Sequence, residues 1–465
     1  MQSPKIVVIG AGSHFFGRPV IWNMVNSEIL KGGTLALVDT DPDTLNTLMD
    51  LARKAVDAAG TPTVVTGSTD RREVLQDADF VVLTFSEHNT HYRCMDAEVS
   101  FKHGVRMCSA DTIGPGGIFR SLREIPRALE MAEDIRELAP DAWTINFVNP
   151  TAVLGIALRR YAPEIRSFAI CDSHHEPYYR LKTLKKLGIL PEDATEIPTE
   201  IERKLDLHVM GVNHFTWITK LNYDGKDYLP EWYQKLLQEA EESLQSKEIG
   251  GPDIAPDSKG KFNPVYAQQL MEMFGAYPDI ISHTKEYVPF FQGCGTEDIY
   301  PEPIRVFDGH HRAQLMAEKW NETQQFARGE KSIGEFLSSG QPDHATDIIE
   351  AVWGNLRKPF YINTLNSGAV PNMADDAFLE LRCDVDINGP RPQPLDPMPR
   401  GLLGLQQNVL DTHELTAEAA VSCDRHTLLR AMMTDPIIHN YEDAKNIMNE
   451  LLERQSDILP TEWYE

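Results

Sequence analysis

Residues 171–176 form a run of side chains that could ligate a metal or titrate. They read Cys-Asp-Ser-His-His-Glu, and five of these six side chains are metal-capable or titratable. A thiolate beside imidazoles suits a transition metal, and His214, in a short Gly-Val-Asn-His turn, would complete such a site from elsewhere in the fold. The same composition also fits an ordinary polar loop, so spacing alone leaves both interpretations open.

A glycine turn near the start of the chain could cradle a pyrophosphate. Gly10 and Gly12, with Ser13, follow a short apolar run and open a helical pattern, and glycines there let backbone N–H groups approach phosphate oxygens. Phe15 stands where a third glycine would complete the dinucleotide fingerprint. Asp39 ends the next apolar run, where it would bind a ribose 2′-hydroxyl and favour NAD over NADP. The alternative is a tight strand-to-helix turn without a ligand.

A second glycine-rich loop begins at Asp111 and reads Asp-Thr-Ile-Gly-Pro-Gly-Gly, and Arg120 and Arg123 follow it. This loop either binds sugar hydroxyls or turns the chain, with Asp111 as a helix or turn cap. The residue patterns alone thus indicate a nicotinamide-dependent enzyme with a possible metal. By themselves they would suggest an alcohol dehydrogenase of the lactate or malate type.

Alternating strand and helix patterns must position these residues. Strands are predicted at residues 5–9, 34–38, 80–85, 142–148 and 167–170, and helices at 17–30 and 43–59. This order predicts an α/β fold, with a Rossmann-like, doubly wound parallel sheet like that of lactate and malate dehydrogenases. Cys171 and Asp172 then lie at the carboxyl end of a strand, where open α/β sheets bind ligands.

The pattern changes beyond about residue 200. Strands are predicted at 207–210 and 216–220, helices at 233–246 and 264–274, and mobile loops at 250–260 and 389–399. We therefore expect an NAD-binding domain over residues 1–200. A C-terminal mixed α/β domain for substrate binding and oligomerisation is expected over residues 201–465.

Composition limits the partners and the compartment. The 465 residues include 70 acidic and 44 basic side chains, a formal net charge of −26, which disfavours nucleic acid and anionic membranes as partners. The six cysteines form no Cys-x-x-Cys pair, and no apolar run approaches the roughly 18 residues of a membrane span. We expect a cytoplasmic protein with reduced thiols.

Several longer blocks together resemble family-four glycoside hydrolases, the NAD- and manganese-dependent glycosidases. The blocks are IGAGS at 9–13, DTIGPGGIFRSLREIP at 111–126, NFVNPT at 146–151, Cys171 at a strand end, and MGVNHFTWITK at 210–220. The resemblance continues through NSGAVPNMADDAFLEL at 366–381. It covers most of the chain, and the GPGG and GxNHF blocks are far more specific than a glycine loop.

The resemblance implies a redox-neutral glycosidase whose small-molecule substrate is a glycoside. In this family NAD⁺ transiently oxidises the sugar C3 hydroxyl, a base removes the acidified C2 proton, the aglycone leaves C1, water adds, and NADH reduces C3 again. By motif position, Cys171 and His214 resemble the ligands of Mn²⁺ or another divalent metal. Asn149 resembles the residue that contacts sugar and cofactor. Asp172 stands where some members have a general acid, and Asp111 heads a loop that faces the sugar.

Two departures from the family pattern concern the base and the substrate. The uronidase and galactosidase members of the family usually have a Gly-Asp-Arg-His block before a Glu-Phe-x-Pro segment, and the corresponding stretch here, residues 279–289, lacks the base aspartate in register. Asp279 or Tyr277 is predicted to replace it. The sequence after Cys171 matches neither the Cys-His pattern of the galacturonidase and galactosidase branches nor the Cys-Asp-Met-Pro of the phosphosugar branch. An anionic substrate, expected to be an α-glycoside of a uronide, sugar phosphate or sulfonate, would pair with Arg93, Arg120 and Arg123, together with His14. The alternative places these arginines on solvated helix faces.

Two other functions remain open at the level of sequence. One is an NAD-dependent dehydrogenase of a sugar or 2-hydroxy acid, and the other is a non-catalytic protein that binds NAD and sugar. The resemblance also implies a homo-oligomer, either a dimer or a tetramer.

Overall fold

The structure of the protein is a computed structural model that describes residues 3–13, 17–246, 264–292, 304–339 and 343–465. The predicted loop at 250–260, the anion-binding candidate His14 and Phe15 lie outside these residues. Within the described ranges the strands, β1 to β13 in chain order, are Lys5–Ile9, Thr34–Val38, Val64–Ser68, Phe80–Leu83, Trp143–Asn146, Arg166–Ala169, Leu205–Gly211, Trp217–Tyr223, Lys226–Asp227, Tyr277–Pro278, Lys358–Leu365, Phe378–Asp386 and Gly389–Pro392.

Helices cover both faces of these strands. Over the same ranges α1 to α17 are Gly17–Asn26, Pro42–Ala59, Arg72–Leu75, Asn89–Lys102, Gly114–Leu138, Thr151–Tyr161, Tyr178–Lys186, Thr199–Glu202, Leu229–Ser246, Pro264–Phe274, Ile281–Thr284, Gly309–Arg328, Ile333–Ser339, His344–Trp353, Arg400–Ser422, Arg425–Thr434 and Tyr441–Arg454. Short 3₁₀ helices lie at Asp172–His174, Pro289–Phe291 and Thr461–Tyr464. None of the helices in the described ranges is long and apolar enough to cross a membrane.

The strands form one continuous sheet with a parallel half and an antiparallel half. The parallel half has the order β3-β2-β1-β4-β5-β6, and the antiparallel half continues with β11-β12-β7-β8-β10. The order 3-2-1-4-5-6 is that of doubly wound dinucleotide-binding sheets, so the predicted α/β, Rossmann-like fold is confirmed. The register pairs Ile9 with Val38 and Leu83, and Asn146 with Leu83 and Ala169. The parallel strands therefore end together at one edge of the sheet.

Strand composition explains this half of the fold. Strand β1 reads KIVVI and is apolar after its first residue, and strand β4 reads FVVL and is apolar throughout. Both strands are almost entirely buried, because helices cover both faces of the sheet. Strand β3 was not predicted, since Val64–Ser68 is a half-exposed edge strand without an apolar run. The first helix ends at Asn26 rather than at residue 30, because the Ser27 hydroxyl accepts the N–H groups of Ile29 and Leu30.

Part of the stretch predicted as a mobile loop at 389–399 is a strand instead. Gly389–Pro392 pairs antiparallel with Asp386 to Cys383 of β12. Its prolines are tolerated because β13 pairs with β12 alone and is an edge strand, where a missing N–H costs no ladder bond.

The C-terminal half packs against the N-terminal half through helices as well as through the sheet. Helix α15 packs on α5 and α6, α12 packs on α2, and α17 packs on α4. The predicted division at residues 200 and 201 stays a prediction, since strands from both sides of it share one sheet.

Candidate active site

A cleft of about 750 Å³ opens at the carboxyl edge of the parallel strands. One end is lined by Gly12 and Ser13, and the other by Cys171 and His214. The wall between them comes from the segments that follow β4, β5 and β6, together with side chains of α4, α5 and α12. The glycine turn and the metal-capable pair therefore share one cavity.

Cys171 and His214 come together although 43 positions separate them. The Cys171 Sγ lies 3.3 Å from His214 Nε2. Cys171 lies two residues after Ala169, the end of the last parallel strand. His214 lies at φ +65° in the turn between β7 and β8, which the hydrogen bond from the Phe215 N–H to the Val212 carbonyl closes. The structure thus brings the two predicted ligands together.

The surroundings of this pair fit a divalent metal. Burial lowers the pKa of His214, which keeps the imidazole in the neutral form that ligates metals. Burial, followed by the charges of Glu380 and Asp172, raises the pKa of the Cys171 thiol, so a metal there would displace the thiol proton. The described residues contain no group of three or more His, Cys, Asp and Glu donors that could hold a metal. A thiolate and an imidazole alone leave coordination positions open to substrate oxygens.

Two other cavity residues lie next to this pair, one predicted from the sequence and one not. Asp172, a predicted catalytic residue, is exposed on the cavity wall beside Cys171. His283 was not predicted. Its ring stacks on His214 with centroids 4.1 Å apart and planes 9° apart. The signal for it was present, because His283 occupies the histidine position of the family block from which the usual base aspartate is absent.

The glycine turn fits the phosphates of a dinucleotide. Gly10 has φ +86°, and a Cβ there would lie 2.5 Å from the Phe85 backbone. The Gly12 N–H donates to Asp39 Oδ2 at 2.8 Å, and a Cβ on Gly12 would lie 2.7 Å from that oxygen. These contacts leave a cradle that only glycine fits, with Asp39 beside it as predicted for a ribose ligand.

Gly17 supplies the close helix approach that the missing third glycine of the fingerprint normally provides. A Cβ at Gly17 would lie 1.9 Å from the Ala11 carbonyl oxygen. Sequence analysis missed this residue because it stands two positions beyond the expected one.

Asn149, predicted to contact sugar and cofactor, lines the cleft. Its Oδ1 accepts the Thr151 hydroxyl at 2.8 Å, and both residues line the cleft. This bond fixes the oxygen side of the amide.

Asp111 is held as a carboxylate by two arginines on the cavity wall. Arg120 Nη1 donates to Asp111 Oδ2 at 2.9 Å, and Arg93 Nη1 lies 3.4 Å from the same oxygen. Burial favours the neutral acid, but the two guanidinium charges outweigh it and hold the pKa of Asp111 well below its usual range. Glu286 supports the loop by accepting the N–H groups of Ser109 and Ala110.

The predicted arginines separate into two groups. Arg93 and Arg120 line the cavity, whereas Arg123 does not and binds the buried Asp96 at 2.8 Å and Gln455 at 2.6 Å. The prediction that Arg123 faces the substrate is wrong, because that network holds its guanidinium in the interior. Arg312 of α12 lines the cavity and was missed, since nothing in its local sequence distinguishes it from a solvated helix residue.

The two predicted base residues lie outside the wall of this cleft. Tyr277 lies in β10, where it pairs with Ile218 of β8. Its ring packs on Trp232, with the ring centroids 5.2 Å apart. Asp279 Oδ2 contacts His174 Nε2 and accepts the Tyr179 hydroxyl at 2.8 Å. The structure therefore does not bring Tyr277 to the site, and it places Asp279 in a buried cluster behind the Cys171–His214 pair.

Comparison with known proteins agrees with this geometry. The family model described as "Family 4 glycosyl hydrolase" matches residues 5–187, and the one described as "Family 4 glycosyl hydrolase C-terminal domain" matches residues 209–438. The chain is 29% identical to an alpha-galactosidase of Bacillus subtilis over 98% of this chain and 99% of the relative. It is 27% identical to an alpha-galacturonidase of the same organism over 97% of each.

A solved structure shares the fold. It is a 6-phospho-alpha-glucosidase from gut microorganisms in complex with NAD and Mn²⁺, with a TM-score of 0.77 at 22% identity, covering 98% of this chain and 99% of that one. The two family models together span most of the sequence and agree with the motif resemblance. The chain belongs to the family 4 glycosyl hydrolases.

Proposed function

We propose that this protein is an NAD- and divalent-metal-dependent glycosidase, with Mn²⁺ as the expected metal, that cleaves an O-glycosidic bond without net redox change. The single observation that carries the proposal is that one cleft joins the Gly12–Asp39 cradle to the Cys171–His214 pair. NAD and Mn²⁺ in the solved 6-phospho-alpha-glucosidase support the same two groups here.

Each cavity residue has a role in this proposal. Bound NAD supplies reversible hydride acceptance, and a bound metal supplies Lewis-acid polarisation of sugar oxygens. Cys171 and His214 would hold the metal, and the amide of Asn149 would contact sugar and cofactor. Asp172, exposed on the wall next to Cys171, gives a proton to the leaving oxygen at C1. The ionised Asp111 accepts a hydrogen bond from a sugar hydroxyl.

We propose an anionic sugar as the substrate, with an α-glycoside as the expected anomer. Arg93, Arg120 and Arg312 all line the cavity, and Asp111 lies within 4 Å of the first two. Three cations in a cleft of a protein with a net charge of −26 favour a uronide, phosphate or sulfonate group. Relatives named for a galactoside and a galacturonide are about equally similar to the chain, so identity alone does not select the sugar.

The test is a panel of nitrophenyl α- and β-hexosides, uronides, 6-phosphates and 6-sulfonates, each with and without NAD⁺ and Mn²⁺. Nitrophenol release that requires NAD⁺ without net NADH is the expected result. Cys171→Ser should bind NAD normally and lose turnover. NADH growth without nitrophenol would indicate a dehydrogenase, and equal rates on a hexoside and its uronide would contradict the anionic substrate.

The protein is also proposed to act in the cytoplasm as a homo-oligomer, a dimer or a tetramer. A free Cys171 thiol as metal ligand requires a reducing compartment, and NAD is an intracellular cofactor. Light scattering on the purified protein, with and without NAD⁺ and Mn²⁺, determines the oligomeric state.

A further inference from the structure

Glu380 joins the two chain segments that carry the proposed metal ligands. It lies on β12 and is 1% exposed. One carboxylate oxygen, Oε1, lies 2.7 Å from His174 Nδ1, and the other, Oε2, accepts the Asn213 amide N–H at 2.9 Å. His174 is three residues after Cys171, and Asn213 directly precedes His214. One buried side chain thus contacts both segments at once.

The His174 side of this bridge is an ion pair that spans the interior. His174 is fully buried, with Glu380 on Nδ1 and Asp279 on Nε2. A neutral imidazole has one N–H and could donate to only one of these carboxylates, whereas the doubly protonated ring donates to both. Tyr179 completes the cluster by donating its hydroxyl to Asp279. Residues 171–174 are therefore tied to fixed charges on β12 and after β10.

Other contacts hold each segment separately. The Gln406 side chain accepts the Val212 N–H and donates to the Phe215 carbonyl, both at 2.8 Å, which secures the His214 turn. His344 Nδ1 lies 2.8 Å from the Cys171 carbonyl oxygen. These bonds fix the backbone of one segment or the other. The contacts of Glu380 set the position of one segment relative to the other.

Strand register explains why residue 380 can do this. Strand β12 lies between β11 and β7, and Glu380 stands opposite Asn363 on one side and Gly211 on the other. Gly211 is the last residue of β7, immediately before the turn that carries Asn213 and His214. The side chain therefore starts beside one segment and reaches the other.

We propose that Glu380 is a positioning residue that fixes the separation of Cys171 Sγ and His214 Nε2 by bridging His174 and Asn213. The inference rests on the proposed function, because it concerns the metal held by that pair. Residues that orient metal ligands from behind typically contribute ten- to hundredfold to metal affinity. Glu380 does so from a third strand of the sheet.

The test uses Co²⁺ as the probe, because a cobalt–thiolate bond gives a charge-transfer absorption and ligand-field bands that report geometry. Glu380→Gln retains the shape but replaces one carboxylate oxygen with an NH2 donor, so it presents an acceptor to only one of His174 and Asn213. Glu380→Asp retains the charge but is one methylene shorter. In both full-length variants we expect a ten- to hundredfold weaker Co²⁺ affinity, shifted ligand-field bands at saturating Co²⁺, and an unchanged Kd for NAD.

Asp384→Asn is the matched control. Asp384 lies on the same strand, is exposed, and accepts the Gln393 amide at 2.8 Å, so this variant should retain wild-type Co²⁺ affinity and spectrum. Wild-type affinity and bands in Glu380→Gln would overturn the inference. Weakened binding in Glu380→Gln with normal binding in Glu380→Asp would also overturn it, since charge alone would then explain the effect.

A separate result identifies failure of the proposed function itself. If the wild-type protein shows no Co²⁺ charge-transfer band, or retains it in Cys171→Ser, then the pair is not the metal site. Should Glu380→Gln not fold, Asn213→Ala removes one arm of the bridge and leaves Glu380 paired with His174. Weaker Co²⁺ affinity in Asn213→Ala supports the bridge, and unchanged affinity overturns it.

Discussion

The chemistry of the site depends on a few side chains whose environments differ over short distances. Cys171 and His214 are predictable from sequence, because their motif blocks are specific and each follows a strand. Glu380 is not predictable, because 206 positions separate it from His174 and an acidic residue in a strand that also contains Arg382 and Asp384 gives no local sign of its partners. Arg123 was predicted to face the substrate and does not, since its guanidinium donates to Gln455, a buried residue distant in sequence.

The charge on His174 should make stability depend on alkaline pH. Burial lowers the pKa of His174, but Glu380 and then Asp279 outweigh it and raise the pKa from 6.5 to about 10. Below pH 6.5 both folded and unfolded states carry the proton, so the stabilisation is complete. As pH rises toward 10, only the folded state retains it. The free energy of unfolding should fall by up to about 1.4 kcal/mol per pH unit.

Urea unfolding at pH 7, 8 and 9 in chelator-treated buffer measures this slope. His174→Gln should be less stable at pH 7 and show a flatter dependence. His208→Gln is the control, because partial burial lowers the pKa of His208 and places its titration below this range. Parallel slopes in the wild type and His174→Gln would refute the assignment.

At the scale of elements, five of the six parallel strands were predicted, together with β7 and β8, whereas β3 and β9 to β13 were not. Strands β1, β2 and β4 carry near-continuous apolar runs, which are diagnostic of burial on both faces. Strands β3 and β13 lie at edges and pair on one side, so their composition is free to look like a loop. The strand ends matter most for function, because they place Gly10, Asp39 and Cys171 along one edge.

The end of β2 should determine the choice of nicotinamide cofactor. Asp39→Ala removes the proposed ribose ligand, and loss of a hydrogen bond to a charged group should weaken NAD about tenfold more than NADP. Titration of each cofactor by calorimetry gives the ratio. Asp41→Ala is the control, because Asp41 caps α2 and its loss should change stability without changing that ratio. Equal losses for the two cofactors would exclude Asp39 from ribose binding.

Strand β10 allows a test of the predicted base. Tyr277→Phe retains the ring that packs on Trp232 and removes the hydroxyl, so kcat/KM should stay within about twofold of wild type. A steady-state assay on the best substrate of the panel measures this. A loss of a hundredfold or more, the usual contribution of a general base, would return Tyr277 to the reaction.

At the scale of the whole molecule, one sheet contains strands from both sides of the domain boundary that the sequence predicts at residues 200 and 201. The change of pattern near residue 200 indicated two domains, and it marks the change from parallel to antiparallel pairing within one sheet. No local pattern reveals that β6 pairs with β11, because the contact joins Ala169 to Asn363. The site lies beside this junction, and its two proposed metal ligands come from opposite sides of it.

Metal should therefore stabilise the whole chain in one step. At about one hundred times its Kd, Mn²⁺ should add about 2.7 kcal/mol to the free energy of unfolding and raise Tm by a few degrees in a single transition. Differential scanning calorimetry measures this, and Cys171→Ser should show no shift. Two transitions, of which Mn²⁺ moves only one, would contradict the connected sheet.

The large sequence separation between His174 and Glu380 also has a consequence for biosynthesis. The glycine turn, Asp39 and the first six strands leave the ribosome before any part of the antiparallel half exists. His214 follows, and the residue that joins the two segments comes only after more than four fifths of the chain has been made. Under the proposed role of Glu380, full metal affinity therefore requires near-complete synthesis, whereas the residues proposed to bind the dinucleotide are made first.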